Sequence, residues 1–266
     1  MTNIAFSFDD GRKDNYIVAK KILEPLNMPA SFNITIGYVE NKLKDVDKPS
    51  LNEPMSMEEF REIHNAKIFE IADHGYKHNN DVDNLIKGAK EIKEKLEIIE
   101  DKKIGIASPH SQFNLNEIKK IENAEDDNGN KLFSYLRISH NFEKNEFIRR
   151  VIRKINRKIH FPFFYYWVYK YTYFKDNNFL IYSVPVVKDN KLKEVKYLIN
   201  KAVKEDKSYI LMFHSILKKD EKYYNDLYSW DYNDFKKLCE FLKSLESEKK
   251  LKVKTVEEMV KEGKNE

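Results

Sequence analysis

The 266-residue sequence predicts an α/β fold with parallel strands and helices packed outside them, on three observations. Short apolar, β-branched or aromatic runs recur along the whole chain. Between them lie segments whose apolar residues repeat at i, i+3 or i+4, the period of an amphipathic helix. Strand and helix alternate about seven times with no Ser/Gly/Pro-rich linker, so one domain over 1–266 is expected. That alternation builds either a barrel or a doubly wound sheet, and in both the chemistry collects at the C-terminal ends of the strands.

In chain order, the expected strands are NIAFSF (3–8), ASFNITI (30–36), KIFEIA (67–72), KIGIAS (103–108), FSYLRIS (133–139), FLIYSVPVV (179–187), YILMFHS (209–215) and LKVKTV (251–256). The helical spacing falls in DNYIVAKKILEPL, MSMEEFREIHNA, NLIKGAKEIKEKLEIIE, LNEIKKIENA, KEVKYLINKAVKE and DYNDFKKLCEFLKSLES. Cys239, the single cysteine, sits on the apolar face of the last of these with Phe235, Leu238 and Leu242, which reads as core. A lone cysteine excludes an intramolecular disulfide framework and a cysteine-based zinc cluster.

With 41% hydrophobic and 35% charged residues the composition is that of a folded globular chain. A formal net charge of +4 is too small to argue for nucleic acid, and none is expected as a partner. No charged segment plus apolar stretch precedes the first strand and no run of about eighteen apolar residues occurs, so the sequence as it stands reads as cytoplasmic.

One segment breaks the rhythm. Residues 141–175 hold nine Lys/Arg against two Glu, a local charge of 9 − 2 = +7, and read as an insertion. FIRRVIRKINRKI places Phe147, Ile148, Val151, Ile152, Ile155 and Ile159 on one helical face, and ten of the fourteen residues in FPFFYYWVYKYTYF are aromatic. Two readings stand: peripheral membrane contact through 147–174, or a helix and loop packed over the barrel with a solvated basic edge.

The stretch IAFSFDDG sets two adjacent carboxylates, Asp9 and Asp10, where a strand ends and a turn begins. Like charges side by side need a cation. FEIADHGYKHNN supplies His74 and His78 just after the third strand, four residues apart, the spacing at which a helical turn aims two imidazoles at one ion. Two histidines and one aspartate make a three-ligand site with an open position, the requirement of a hydrolytic metal centre, which leaves the other aspartate for proton transfer. His214 closes another strand, where an imidazole can serve as acid opposite a carboxylate base.

SFDDG (7–11), HGYKH (74–78) and LMFHS (211–215), in this order, resemble the first, second and fifth motifs of the polysaccharide deacetylases, the NodB-homology or carbohydrate esterase family 4 enzymes. The likeness extends from residue 4 to about residue 260, with LKVKTVEEM resembling the last strand and helix. It implies a distorted (β/α)7–8 barrel and metal-assisted removal of an acyl group, usually acetyl, from an N-acylated amino sugar. It also implies Asp10, His74 and His78 as metal ligands, Asp9 as base and His214 as the acid at the departing amine. The ion implied is Zn²⁺ first, with Co²⁺, Ni²⁺ and Fe²⁺ also suited to an Asp/His/His set.

The third and fourth motifs depart from the family. In IGIASPHSQFN, Pro109 is present but His110 replaces the usual aromatic residue, whose backbone N–H would complete an oxyanion hole. The arginine that would orient the base is absent there; Arg12, Lys13 and Arg137 are the candidates to replace it from other loops. The acid that buttresses the histidine is not evident, Asp189 being the nearest carboxylate. After His214, Tyr223, Tyr224, Tyr228, Trp230 and Tyr232 are placed to form a rim that stacks on sugar or packs a long loop. Beside an N-deacetylase acting on a glycan or lipid-linked saccharide, two other readings stay open: hydrolysis of a small cyclic amide or ureide, and a non-catalytic glycan-binding or membrane-docked module.

Overall fold

The computed structural model describes residues 1–50, 52–99, 101–111, 113–140, 146–175 and 178–263. Residues 141–145, where the expected insertion opens, and Gln112 in the third-motif stretch lie outside them, as does Glu100 at the end of one expected helix.

Eleven strands are numbered in chain order: β1 (Thr2–Phe8), β2 (Ala30–Ile34), β3 (Phe69–Asp73), β4 (Ile104–Ala107), β5 (Phe133–Ile138), β6 (Leu180–Tyr182), β7 (Val184–Pro185), β8 (Tyr209–Phe213), β9 (Ser215–Leu217), β10 (Ser229–Asp231) and β11 (Leu251–Lys254). Their order in the main sheet is β6-β5-β4-β3-β2-β1-β8-β7, every pair parallel. Only Ser183 separates β6 from β7, so one stretch of chain pairs with β5 on one side and β8 on the other. The sheet therefore closes on itself, a distorted parallel α/β barrel. The distortion is visible at β1, whose first residues pair with β11 while Ser7 and Phe8 pair with β2.

Strand alternation sorts the side chains. Phe6 and Phe8 point outward onto Phe235 of the helix Tyr232–Ser247, with Phe32 and Phe213 in the same cluster at ring separations of 5.1–5.8 Å. Each such buried ring contributes on the order of 2–3 kcal/mol, and together they fix the ends of β1 and β8. Ser7 and Asp9 consequently face the lumen, which is polar. In a lower layer Ser31 and Tyr135 donate to Glu70. Gly105 makes room for this layer, since a Cβ there would lie 2.1 Å from the Tyr135 ring.

The helices match the expected segments within a few residues, with three differences. The segment after Lys13 is α-helical only to Val18 and continues as a π-helical turn over Ala19–Leu23. The aromatic stretch forms a helix over Pro162–Tyr169, started by a proline in its first turn and buried through Tyr165, Tyr166, Val168 and Tyr169, although it carries no helical period. In the helix Glu146–Ile159 the apolar side does not pack on the barrel, where the second of the two readings placed it: Arg149 and Asn156 are buried, and Phe147, Ile148, Val151, Ile155 and Ile159 are exposed. Among the described residues no helix is long and apolar enough to cross a membrane.

Candidate metal centre

The turn after β1 aims the two aspartates apart. Asp9 continues the inward alternation, its N–H donating to the carbonyl of Phe213 at 2.9 Å. Asp10 then takes φ +84°, a conformation rare for a residue with a Cβ, and Gly11 follows at φ +81°. Two left-handed residues in succession turn the chain sharply, and Arg12 is carried back over Asp10. Its Nε and Nη2 lie 2.7 and 2.5 Å from Asp10 Oδ2, and its Nη1 donates to Ser215 at 2.6 Å. Arg12 thus grips one oxygen of the carboxylate and leaves the other bare.

His74 and His78 meet that bare oxygen. The Nε2 atoms of His74 and His78 are 3.4 and 3.7 Å from Asp10 Oδ1. The two histidines stand on an irregular loop between β3 and the helix Val82–Lys95, not on a helical turn; Gly75 at φ +81° folds the loop so that the rings come within 5.3 Å. His74 Nδ1 lies 2.9 Å from the carbonyl of Ala107, which makes Nδ1 the protonated nitrogen and turns the Nε2 lone pair toward Asp10.

The three ligand atoms lie within 4.8 Å of one another. Asp10 Oδ1 and His74 Nε2 are both buried without a hydrogen-bond partner, an arrangement that is costly unless something else satisfies them. Burial alone would raise the Asp10 carboxyl, but the Arg12 guanidinium on its other oxygen holds it well below the usual carboxylate range. Burial, partly offset by Asp10, lowers His78 to about 4, so its ring is neutral near pH 7. An ionised carboxylate, a neutral His78 imidazole and a second imidazole whose Nε2 is turned inward, with two orphaned atoms converging, fit a divalent ion of the borderline class.

Around this set the lumen supplies a second layer. Arg137 on β5 crosses the barrel to pair with Asp9 Oδ1, and Asn33 on β2 donates to the same oxygen at 2.8 Å. Of the candidates for the missing arginine it is therefore Arg137 that meets Asp9. Arg12 is buried on Asp10, because the turn after Gly11 folds it inward. Lys13 pairs with Glu59. His214 Nε2 stands 3.9 Å from Asp9 Oδ2, and its Nδ1 has no hydrogen-bond partner. Burial keeps His214 below the ordinary imidazole value. Asp189 lies elsewhere, 3.6 Å from Arg157, so it does not buttress the histidine.

Two expectations about the rim are corrected. The backbone N–H of His110 donates to Asn80 Oδ1 at 3.2 Å, so it is engaged within the protein and not open to an oxyanion. The His110 ring is exposed and packs edge-on against His78 at 4.7 Å, following the half-buried Pro109. Trp230 is 2% exposed, packs on Phe213 and donates its indole N–H to the carbonyl of Asn190, so no ring face is open. The exposed aromatic beside the site is Tyr228, 4.8 Å from the His214 ring.

Sequence reasoning passed over Asn33 and Gly88. Asn33 is a polar residue at an inward position of a buried strand, a signal that is present but shared with Ser31. Gly88 lies on the helix Val82–Lys95, where a Cβ would come within 2.3 Å of Asp73 Oδ1 and 2.6 Å of the Gly75 carbonyl carbon. Only glycine lets that helix press against the histidine loop.

Residues 2–127 match the sequence model of the family described as polysaccharide deacetylase. No curated protein matches the chain. Among solved structures, IcaB from Ammonifex degensii is 17% identical with a TM-score of 0.39, covering 49% of this chain and 57% of that one. A de-N-acetylase from Aggregatibacter actinomycetemcomitans is 18% identical with a TM-score of 0.39, covering 50% and 62%. The chain thus spans less than two thirds of the length of either. The Xyl-CE4 domain of a multidomain xylanase from the hindgut metagenome of Trinervitermes trinervoides is 13% identical with a TM-score of 0.47, covering 97% and 88%. At these identities the sequence match carries the comparison: over residues 2–127, just under half of its length, the chain is similar to the polysaccharide deacetylase family.

Proposed function

We propose that the protein is a metal-dependent hydrolase that removes an acyl group, acetyl in the first instance, from the nitrogen of an amino sugar in a glycan or lipid-linked saccharide. The observation that carries this reading is the convergence of Asp10, His74 and His78 beside a carboxylate, Asp9, that is not part of the ligand set. Asp10, His74 and His78 would hold the ion, Zn²⁺ by preference, which when bound supplies a Lewis acid for the amide carbonyl and a water acidified toward a pKa of about 7.

The chain's own groups handle the proton. Asp9, clamped by Arg137 and Asn33, accepts it from the attacking water as the new C–O bond forms at the carbonyl carbon. His214, held neutral by burial, takes that proton over from Asp9 across 3.9 Å and passes it to the nitrogen as the C–N bond breaks, which restores both groups and leaves a carboxylate and an ammonium once the product acid gives its proton to the amine. Tyr228, exposed next to His214, is placed to offer a ring face to a sugar.

Acetate release from N-acetylchitooligosaccharides, run beside a panel of cyclic amides and ureides, tests the reading. Metal-dependent release of acetate from the sugars alone is the expected result. Turnover of a cyclic amide with no acetate release would move the protein to the other hydrolase class, and turnover of neither, with no bound metal, to a binding module.

A further inference from the structure

We propose that the helix Glu146–Ile159, with the start of the helix Pro162–Tyr169, is a docking face for the surface of an anionic lipid bilayer. The first helix is held inside-out by polar anchors. Arg149 and Asn156, seven residues apart on one line of the helix, point into the protein. Arg149 donates to the carbonyl of Val168 and lies 5.2 and 4.6 Å from the Trp167 and Tyr171 rings. Asn156 donates to Glu194 and accepts the Phe161 N–H at 2.8 Å. Buried polar groups bonded inside the protein fix the rotation of a helix, and here they leave its apolar side turned out.

That outer side is large. Phe147 is 78% exposed, and Ile148, Val151, Ile155, Ile159 and Phe161 are between 39% and 53% exposed. At 100° per residue Phe147, Val151, Ile155, Ile148 and Ile159 span an arc of about 120° that also holds Lys158; Lys154, Arg150 and Arg157 line one flank, and the other flank turns inward through Asn156 and Arg149. An apolar arc of this size needs an occupant.

Charge selects the occupant. Residues 141–175 carry +7 while the rest of the chain carries 4 − 7 = −3. A second copy docking through the same face would bring like charge against like charge, and an uncharged apolar partner would leave the basic flank unused. A bilayer with anionic headgroups accepts both, the acyl boundary taking the apolar arc and the headgroups taking the lysines and arginines. The helix also lies at the catalytic end of the barrel. It begins beyond the C-terminal end of β5 and runs to Asp189 and Glu194, which follow the C-terminal end of β7. Docking would hold the mouth that contains Asp10 beside the membrane, where a lipid-linked saccharide would be presented; the surface itself does not depend on the deacetylase reading.

The test is co-sedimentation of the full chain with vesicles of phosphatidylcholine alone and of equal parts phosphatidylcholine and phosphatidylglycerol, at low and high salt, with acetate release measured in parallel. Wild-type protein is expected to pellet with the anionic vesicles and to be released by salt. Lys154→Glu with Lys158→Glu should weaken binding about tenfold or more. Ile148→Ser with Ile155→Ser should abolish it, and neither pair should alter the thermal melt or turnover of a soluble substrate. Equal pelleting of all three proteins, or none with any vesicle, overturns the proposal, and so does a dimer in solution that the serine pair dissociates without any vesicle binding. Loss of turnover with intact vesicle binding would instead count against the catalytic reading alone.

Discussion

Arg137 on β5 and Asp9, just past the end of β1, come from strands that are not neighbours and pair across the lumen of the barrel with both side chains buried. A guanidinium there gives the carboxylate a fixed orientation beside the candidate metal ligands while Arg12 does the same for Asp10. Each of the two adjacent aspartates thus has its own arginine, and repulsion between them is offset twice.

Removing that partner should separate catalysis from metal binding. Arg137→Gln is expected to lower kcat by about 100-fold or more, to cost about 3–5 kcal/mol of stability by leaving Asp9 buried and unpaired, and to leave metal content unchanged, with Arg137→Lys recovering part of the activity. Elemental analysis beside acetate-release kinetics checks this. An Arg137→Gln protein with native kcat would remove Arg137 from the machinery.

Gly88 should be intolerant of even a methyl group. Gly88→Ala places a Cβ against the Asp73 carboxylate and the backbone of Gly75, neither of which can yield without moving the loop that carries His74 and His78. A loss of about 1–3 kcal/mol and weaker metal retention are expected, read by urea unfolding and by competition with a chromogenic chelator. Unchanged metal affinity would mean that the loop is positioned independently of the helix.

Asp14 gives a pH dependence with a definite sign. Burial raises its carboxyl to about 6, against the opposing Arg12 charge, while it accepts the Ile216 N–H at 2.9 Å. A raised acid binds its proton more tightly in the folded state, so its contribution is full below the ordinary value near 3.8 and is lost as pH rises through about 6. Asp14→Asn should therefore gain stability relative to wild type between pH 4 and pH 7, by up to about 3 kcal/mol. Urea midpoints of the two proteins at both pH values measure it, and a constant difference would contradict the assignment.

Much of this was legible in the sequence. The strands at 2–8, 30–34, 69–73, 104–107, 133–138 and 209–213 lie where β-branched and aromatic runs place them, because buried parallel strands are apolar along one full face and the intervening helices keep their period. Asp9, Asp10, His74, His78 and His214 were named from strand ends. What was not legible depends on tertiary contact. The period of FIRRVIRKINRKI correctly gives an amphipathic helix, but which face turns inward was decided by two polar anchors, Arg149 and Asn156. The partner of Asp9 comes from the opposite side of the lumen, 128 residues away in sequence. Trp230, an aromatic in a long loop, reads the same whether it stacks on a ligand or packs on Phe213.

The claim on which the rest stands is that Asp10, His74 and His78 hold one divalent ion and that Asp9 does not. Metal-to-protein stoichiometry of the wild type, His74→Ala and Asp9→Asn proteins, each assayed for acetate release before and after chelation and re-addition of Zn²⁺, tests it most directly. The account predicts one ion per chain in the wild type, none in His74→Ala, and one in an inactive Asp9→Asn. Native turnover after complete metal removal, or an Asp9→Asn protein that loses its ion, would contradict it.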